Sequence, residues 1–194
     1  MKVYLETERM ILREFIEADV DNLVDLDSDP KVMLYINGGK PTPRQDVVER
    51  VMPHILKYYK NNDGLGIWAA MNKLDGQFMG WFLLRPNWAD ETETELGYRF
   101  KRQYWDQGYA SEGSRALIHK GFMHLKVNVI MATADPANVA SRRVMEKIGL
   151  KFEKEYAEAD GFIVVKYRLG RSEYLKRGQS EVSKDPIDYG SEIR

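Results

Sequence analysis

The most constraining feature of the chain is a change of periodicity near residue 110. Before it, three strand-like runs follow one another, Gly66 to Asn72, Gln77 to Arg85 and Glu93 to Phe100, with Leu74-Asp75-Gly76 as a tight turn between the first two. Such a succession reads as an antiparallel meander. After it, Ala110, Ser114, Leu117, Ile118, Phe122 and Leu125 recur at helical spacing, and Val127 to Ala134 is a β-branched apolar run of the buried-strand type. Strand, helix and strand in that order predict a parallel crossover, so the sheet must be mixed.

The flanking segments fit around this centre. Tyr4 to Phe15 alternates apolar and charged residues and is expected to form one strand with a wet face. Ala18 to Asp27 predicts a short acidic helix that Asp29-Pro30 ends. Thr42-Pro43-Arg44-Gln45 reads as N-cap, first helical residue and capping box of a helix carrying Val47, Val48, Val51, Ile55, Tyr58 and Tyr59 on one stripe, with Pro53 bending it. Asp135-Pro136 reads as N-cap and first position of another helix, which buries Ala140, Val144, Met145 and Ile148 and stops at Gly149. Phe152 to Tyr156 and Phe162 to Leu169 predict a closing hairpin around Asp160-Gly161. The fold class is α+β: a mixed, mostly antiparallel sheet of about six or seven strands flanked by helices. Residues 1–175 form one domain, and 176–194, polar and rich in turn formers, form a tail.

Bulk properties remove several functions. With 29 basic and 30 acidic residues the formal charge is −1, so no global field holds a nucleic acid or an anionic membrane. The absence of cysteine excludes thiol nucleophiles and thiolate metal sites. His54, His119 and His124 lack metal spacing, and no metal is expected. No signal peptide opens the chain and no run approaches the ~20 apolar residues of a membrane span. A cytoplasmic enzyme is the simplest reading.

The informative residues are Glu95 to Ala110, ELGYRFKRQYWDQGYA, and Ala134 to Leu150, ADPANVASRRVMEKIGL. A strand ends near Phe100, a turn containing Gly108 follows, and a helix opens at about Ala110. Unpaired N–H groups at such a junction, with the helix dipole behind them, suit an anion such as a pyrophosphate.

Trp105-Asp106-Gln107-Gly108-Tyr109-Ala110, followed by Asn138, Ser141, Glu146, Lys147 and Gly149, resembles the W-x-Q-G-Y-A turn and N-x-x-S-x-x-x-x-E-K-x-G helix of the GNAT superfamily of N-acetyltransferases. The nearest branch is similar to the ribosomal-protein N-terminal (RimJ/RimL-type) acetyltransferases, and the resemblance covers about residues 4 to 170. It implies acetyl transfer from acetyl-CoA to a primary amine. It also implies a strand Glu95 to Phe100 splayed from Val127 to Ala134, with pantetheine in the gap and an exposed strand N–H, that of Tyr98 or a neighbour, as an oxyanion donor. Pyrophosphate would lie on Gln107, Gly108, Tyr109 and Ala110, with Arg102 and Gln103 nearby. The superfamily signature R/Q-x-x-G-x-G/A meets Trp105 at its first position, a departure that backbone donors survive.

The same resemblance implies Glu95 as the base that takes the amine proton, with Glu93, two residues away on the same face, in reserve. An acidic strand that merely attracts a cation remains the other reading of Asp90, Glu91, Glu93 and Glu95. Asn138, Ser141 and Met145 share one helical face. Where the superfamily often has a tyrosine to protonate the leaving thiolate, this chain has Met145, and Ser141 is the substitute donor, with Asn138 on the pantetheine arm. Trp81, Trp88, Tyr98, Tyr104 and Trp105 are expected to fill core for the most part. The acceptor stays open between a protein N-terminal amine and small-molecule amines such as polyamines, amino acids or aminoglycosides. A catalytically weak acyl-CoA-binding sensor or interaction module is the alternative, and a homodimer built on the last strand or the tail is compatible with either.

Overall fold

The computed structural model describes residues 2–61, 63–159 and 161–182, with side chains described to Arg177. One eight-stranded sheet runs in the order β1-β2-β3-β4-β5-β6-β8-β7. Its strands are β1 (Val3–Glu6), β2 (Met10–Glu14), β3 (Gly66–Asn72), β4 (Phe78–Asn87), β5 (Asp90–Phe100), β6 (Val129–Ala134), β7 (Lys151–Ala157) and β8 (Ile163–Gly170). Every neighbouring pair is antiparallel except β5 and β6, which are parallel and joined across α5 (Tyr109–Lys120). The mixed sheet expected from the change of periodicity is present, with one or two strands more than the pattern suggested.

The additional strand lies at the N-terminus, where the expected single strand is a hairpin. Thr7 closes its turn, donating its backbone N–H to Met10 O at 2.9 Å while its Oγ1 accepts the Met10 N–H at 3.0 Å. Charged residues on both sides of Thr7 continued the alternation and concealed the break. A second correction concerns Asp29-Pro30. It ends α1 (Val20–Ser28), as expected, but also starts α2 (Pro30–Asn37), since Asp29 Oδ1 accepts the Lys31 N–H at 2.9 Å and proline occupies the first helical turn.

Two predicted caps are also replaced. The Thr42 hydroxyl donates to Asp27 Oδ2 at 2.9 Å and Gln45 turns to Glu49, so no capping box forms, and α3 (Arg44–Asp46) begins after Pro43. Five residues of π-helix, Val47–Val51, then lead into α4 (Met52–Asn61). Pro53 has no N–H to donate back into that turn, which accounts for the irregular winding. Downstream, Asp135 Oδ1 accepts from Ala137 N in a tight turn, and Asn138 is the N-cap of α6 (Val139–Lys147). The last helix, α7 (Arg171–Val182), takes in the beginning of the expected tail, and 183–194 lie outside the described residues.

Alternation along the strands separates two cores. Leu12, Trp68, Phe82, Leu96, Ile130 and Tyr167 face α5 and α6, while Phe15, Ile67, Ala69 and Leu83 face α1 and α4. Tyr98 and Tyr104 pack against the first core and Trp81 against the second, whereas Trp88 (73% exposed) and Trp105 (42% exposed) belong to neither. Among the described residues no helix is long and apolar enough to cross a membrane.

The alignment of β4 on β5 depends on one glycine. Gly80 has φ +153°, and a Cβ there would lie 2.0 Å from the Arg99 carbonyl oxygen. Gly80→Ala is expected to lose about 2–4 kcal/mol of stability, because backbone rather than a flexible side chain must move. Urea denaturation of the variant against the wild type measures this.

Candidate active site

Parallel pairing between β5 and β6 covers only Thr94↔Ile130 and Glu95↔Met131. Beyond Glu95, β5 continues on β4 as far as Phe100↔Gly80, and β6 continues on β8 as far as Ala134↔Val165. The two strands therefore part, leaving backbone groups along the facing edges without a strand partner. Unpaired backbone groups of this kind require water or ligand.

At the mouth of the gap the chain turns into α5. Trp105 Nε1 donates to Phe100 O at 2.8 Å and Gln107 Nε2 to Gln103 O at 2.6 Å, which folds the turn on itself. Asp106 (φ +58°) and Gly108 (φ +82°) both adopt left-handed backbone, and no side chain caps the helix. Among the described residues the N–H groups of Gln107, Gly108, Tyr109 and Ala110 meet no acceptor. Four of the residues expected to hold an anion are thus together. Arg102 is instead paired with Asp29, beside Lys101–Asp25 at 2.7 Å and Arg99–Asp27 at 2.5 Å. These three pairs fasten the acidic α1–α2 junction to the end of β5.

Arg9 is a residue of this region that the sequence reading missed. From the β1–β2 turn it donates through Nη1 to Gln107 O at 3.0 Å, pairs through Nε with Glu112 at 2.6 Å, and lies 4.2 Å from the centre of the Tyr109 ring. Its backbone N–H also reaches Glu112, at 2.9 Å. A separation of 98 residues from Gln107 left no local signal to find it.

Glu95 Oε2 accepts from Arg85 Nε at 2.9 Å and pairs with Arg85 Nη2 at 2.8 Å, while Oε1 has no partner among the described residues. Glu93 is buried, and its Oε2 accepts from Lys166 Nζ at 2.7 Å and Asn87 Nδ2 at 3.3 Å. Burial alone would lower the Lys166 ammonium, but Glu93 and Glu153 outweigh it and raise its pKa. Glu93 is therefore committed to a buried ion pair, whereas Glu95 keeps one oxygen available. On the opposite face of β5, the Tyr98 hydroxyl lies 3.1 Å from Ser141 Oγ and 3.3 Å from Ser141 O, and Asn138 Oδ1 accepts the Ser141 N–H at 3.1 Å. Met145 is buried in the first core. A cleft of about 460 Å³ lined by Arg115, His119, Lys147 and Tyr174 contains none of these residues.

A mixed α+β sheet parted between two parallel strands, with open amides at the mouth, leaves room for an extended ligand that carries an anionic group. The chain belongs to the GNAT family: the family model described as "Acetyltransferase (GNAT) domain" matches residues 9–151. An uncharacterized Bacillus subtilis protein, YkkB, is 34% identical over 158 residues, 79% of this chain and 88% of that protein. The FsC-acetyl coenzyme A-N(2)-transacetylase of Aspergillus fumigatus is 28% identical over 186 residues, 89% of this chain and 78% of the relative. In fold the chain is similar to RimL, a ribosomal L7/L12 α-N-protein acetyltransferase solved in complex with coenzyme A, with a TM-score of 0.72 at 17% identity, covering 87% of this chain and 98% of that one.

The clamp on the turn should be pH-dependent. Burial alone would raise the Glu112 carboxyl, but the Thr7 hydroxyl and the Arg9 N–H and guanidinium groups outweigh it and lower its pKa. A depressed folded-state value gives stabilisation that is complete above the unfolded value near ~4.3 and is lost as pH falls through the folded one. Wild type should therefore exceed Glu112→Gln by about 1 kcal/mol or less at neutral pH, solvent screening included, and the difference should shrink as pH falls below the ordinary carboxylate range. Urea midpoints at neutral and acidic pH check this.

Proposed function

We propose that the chain is a cytoplasmic N-acetyltransferase that moves acetyl from acetyl-CoA to a primary amine by direct attack on the thioester. The observation that carries the reading is the parting of β5 from β6 beside a turn of acceptorless amides. Those residues fit the cofactor: a diphosphate suits the N–H groups of Gln107, Gly108, Tyr109 and Ala110, and an amide-bearing arm suits the free strand edges. At Gly108 a Cβ would meet only Arg9 Nη2, at 3.5 Å, so the turn is open to a ligand. Bound there, the thioester supplies an activated acetyl carbon and a good leaving group.

The chain's own groups divide the remaining work. Arg85 holds one oxygen of Glu95, and the other is left to take the ammonium proton, directly or through water. The exposed edge of β5 near Tyr98 donates an N–H to the developing oxyanion. Ser141, held by the Asn138 cap, donates its hydroxyl to the departing sulfur. Arg102 and Gln103 are left to the rim of the diphosphate site. Likeness to the Aspergillus transacetylase supports an amine acceptor, and the motif resemblance to the ribosomal-protein branch leans toward a protein α-amine over small-molecule amines.

Release of free thiol from acetyl-CoA across peptides, polyamines, amino acids and aminoglycosides tests the reading. Glu95→Gln is expected to lower kcat/KM for the accepted amine about 100-fold with little change in the KM for acetyl-CoA. A rise in melting temperature with coenzyme A but no turnover of any amine would make the protein a binder instead.

A further inference from the structure

Position 145, where the family pattern often places a phenol, holds a methionine buried in the first core, so α6 cannot present a tyrosine there. Two other phenols reach α6. The Tyr167 hydroxyl donates to Glu146 Oε1 at 3.0 Å and accepts from Arg142 Nε at 3.3 Å, so it is fully committed. Tyr98 comes from β5, three residues past its last pairing with β6, and among the described residues its hydroxyl hydrogen-bonds only to Ser141.

We propose that Tyr98 is the positioning residue of the acetyl transfer, donating its phenolic hydrogen to Ser141 so that the serine's own hydrogen is free for the sulfur. The inference rests on the role given to Ser141 above. A serine hydroxyl has one hydrogen, and on a helix its default is to give it to the carbonyl one turn back, where it does nothing for a ligand. The phenol's single hydrogen has two acceptors on Ser141, Oγ at 3.1 Å and the backbone carbonyl at 3.3 Å; given to the nearer Oγ, it makes that oxygen an acceptor and polarises its remaining hydrogen as a donor. Burial pushes the Tyr98 hydroxyl up to about 12, so it remains a protonated donor throughout the physiological range. Its ring, 6.2 Å from that of Phe82, fixes the phenol in place.

The chemical step balances without ionising either hydroxyl. The amine lone pair forms the N–C bond, the C–S bond breaks with its electron pair on sulfur, and the ammonium proton passes to Glu95 Oε1 or water. Ser141 O–H hydrogen-bonds to the sulfur anion, while Tyr98 O–H hydrogen-bonds to Ser141.

Because coenzyme A itself carries the thiol that leaves, the effect can be read without turnover. Thiolate absorbance of bound coenzyme A is titrated with pH in wild type, Tyr98→Phe, Ser141→Ala and the double variant. Loss of one hydrogen bond is expected to raise the pKa of the bound thiol by about one unit in each single variant, with no further rise in the double. With acetyl-CoA, Tyr98→Phe should lower kcat about ten-fold and leave KM within about two-fold. A purely structural tyrosine would alter affinity and melting temperature but not the thiol titration. An unmoved titration in Tyr98→Phe beside a raised one in Ser141→Ala overturns the role of Tyr98 alone. Unmoved titrations in both remove Ser141 as well, and failure of wild type to bind coenzyme A removes the cofactor reading itself.

Discussion

Two residue pairs of parallel ladder hold β5 to β6, and everything functional depends on the ladder stopping there. A longer ladder would close the sheet and satisfy its own backbone groups. A shorter one would leave β6, β7 and β8 attached to the rest mainly by helices. The parallel relation demands a crossover helix, and the crossover carries the start of α5 to the same end of the sheet at which the strands separate. Ligands in open mixed sheets collect at the carboxyl ends of parallel strands for this reason: helix N-termini and unpaired strand edges arrive together.

The apolar cores set the stability, while the charged residues set the shape of the mouth. Exposed ion pairs contribute about 0–1 kcal/mol each, so Lys101–Asp25 and Arg102–Asp29 are a minor part of the folding energy, whereas Arg99–Asp27 is largely buried. Their effect is geometric, since three pairs spaced along one short segment admit one placement of α1 and α2 over the end of β5. Arg9 does the same from the other side of the turn, holding the Gln107 carbonyl and Glu112 together. A near-neutral chain therefore concentrates paired charges around its candidate site without carrying a field of either sign.

What was legible in the sequence followed from local periodicity. The meander, the crossover and the closing hairpin were readable because each strand alternates between two faces with different neighbours. The break at Thr7 was not, because charges on either side preserve the alternation through the turn. The second helix was hidden by Asp29-Pro30, a pair that ends one helix as well as it begins another. At the candidate site, the residues of the 107–110 turn follow from adjacency, and Glu95 only from the resemblance to the GNAT superfamily. Arg9, Arg85 and the Tyr98 hydroxyl came only with tertiary structure, since they act on residues 98, 10 and 43 positions away.

The register of α6 shows how a small error in a cap changes the chemistry inferred from it. A helix starting at Pro136 would bury Ser141 in its second turn, where a hydroxyl is normally spent on a carbonyl of the turn before. With Asn138 as the cap, Ser141 is the third helical residue, its N–H is satisfied by the cap, and its hydroxyl lies in the first turn at the open end. The same register carries Met145 one turn deeper into the core, so a phenol at that point would have to displace packed apolar side chains. Tyr98 reaches Ser141 from the strand because β5 is free of β6 beyond Glu95, so the parting of the strands that opens the sheet also admits the hydroxyl beside the serine.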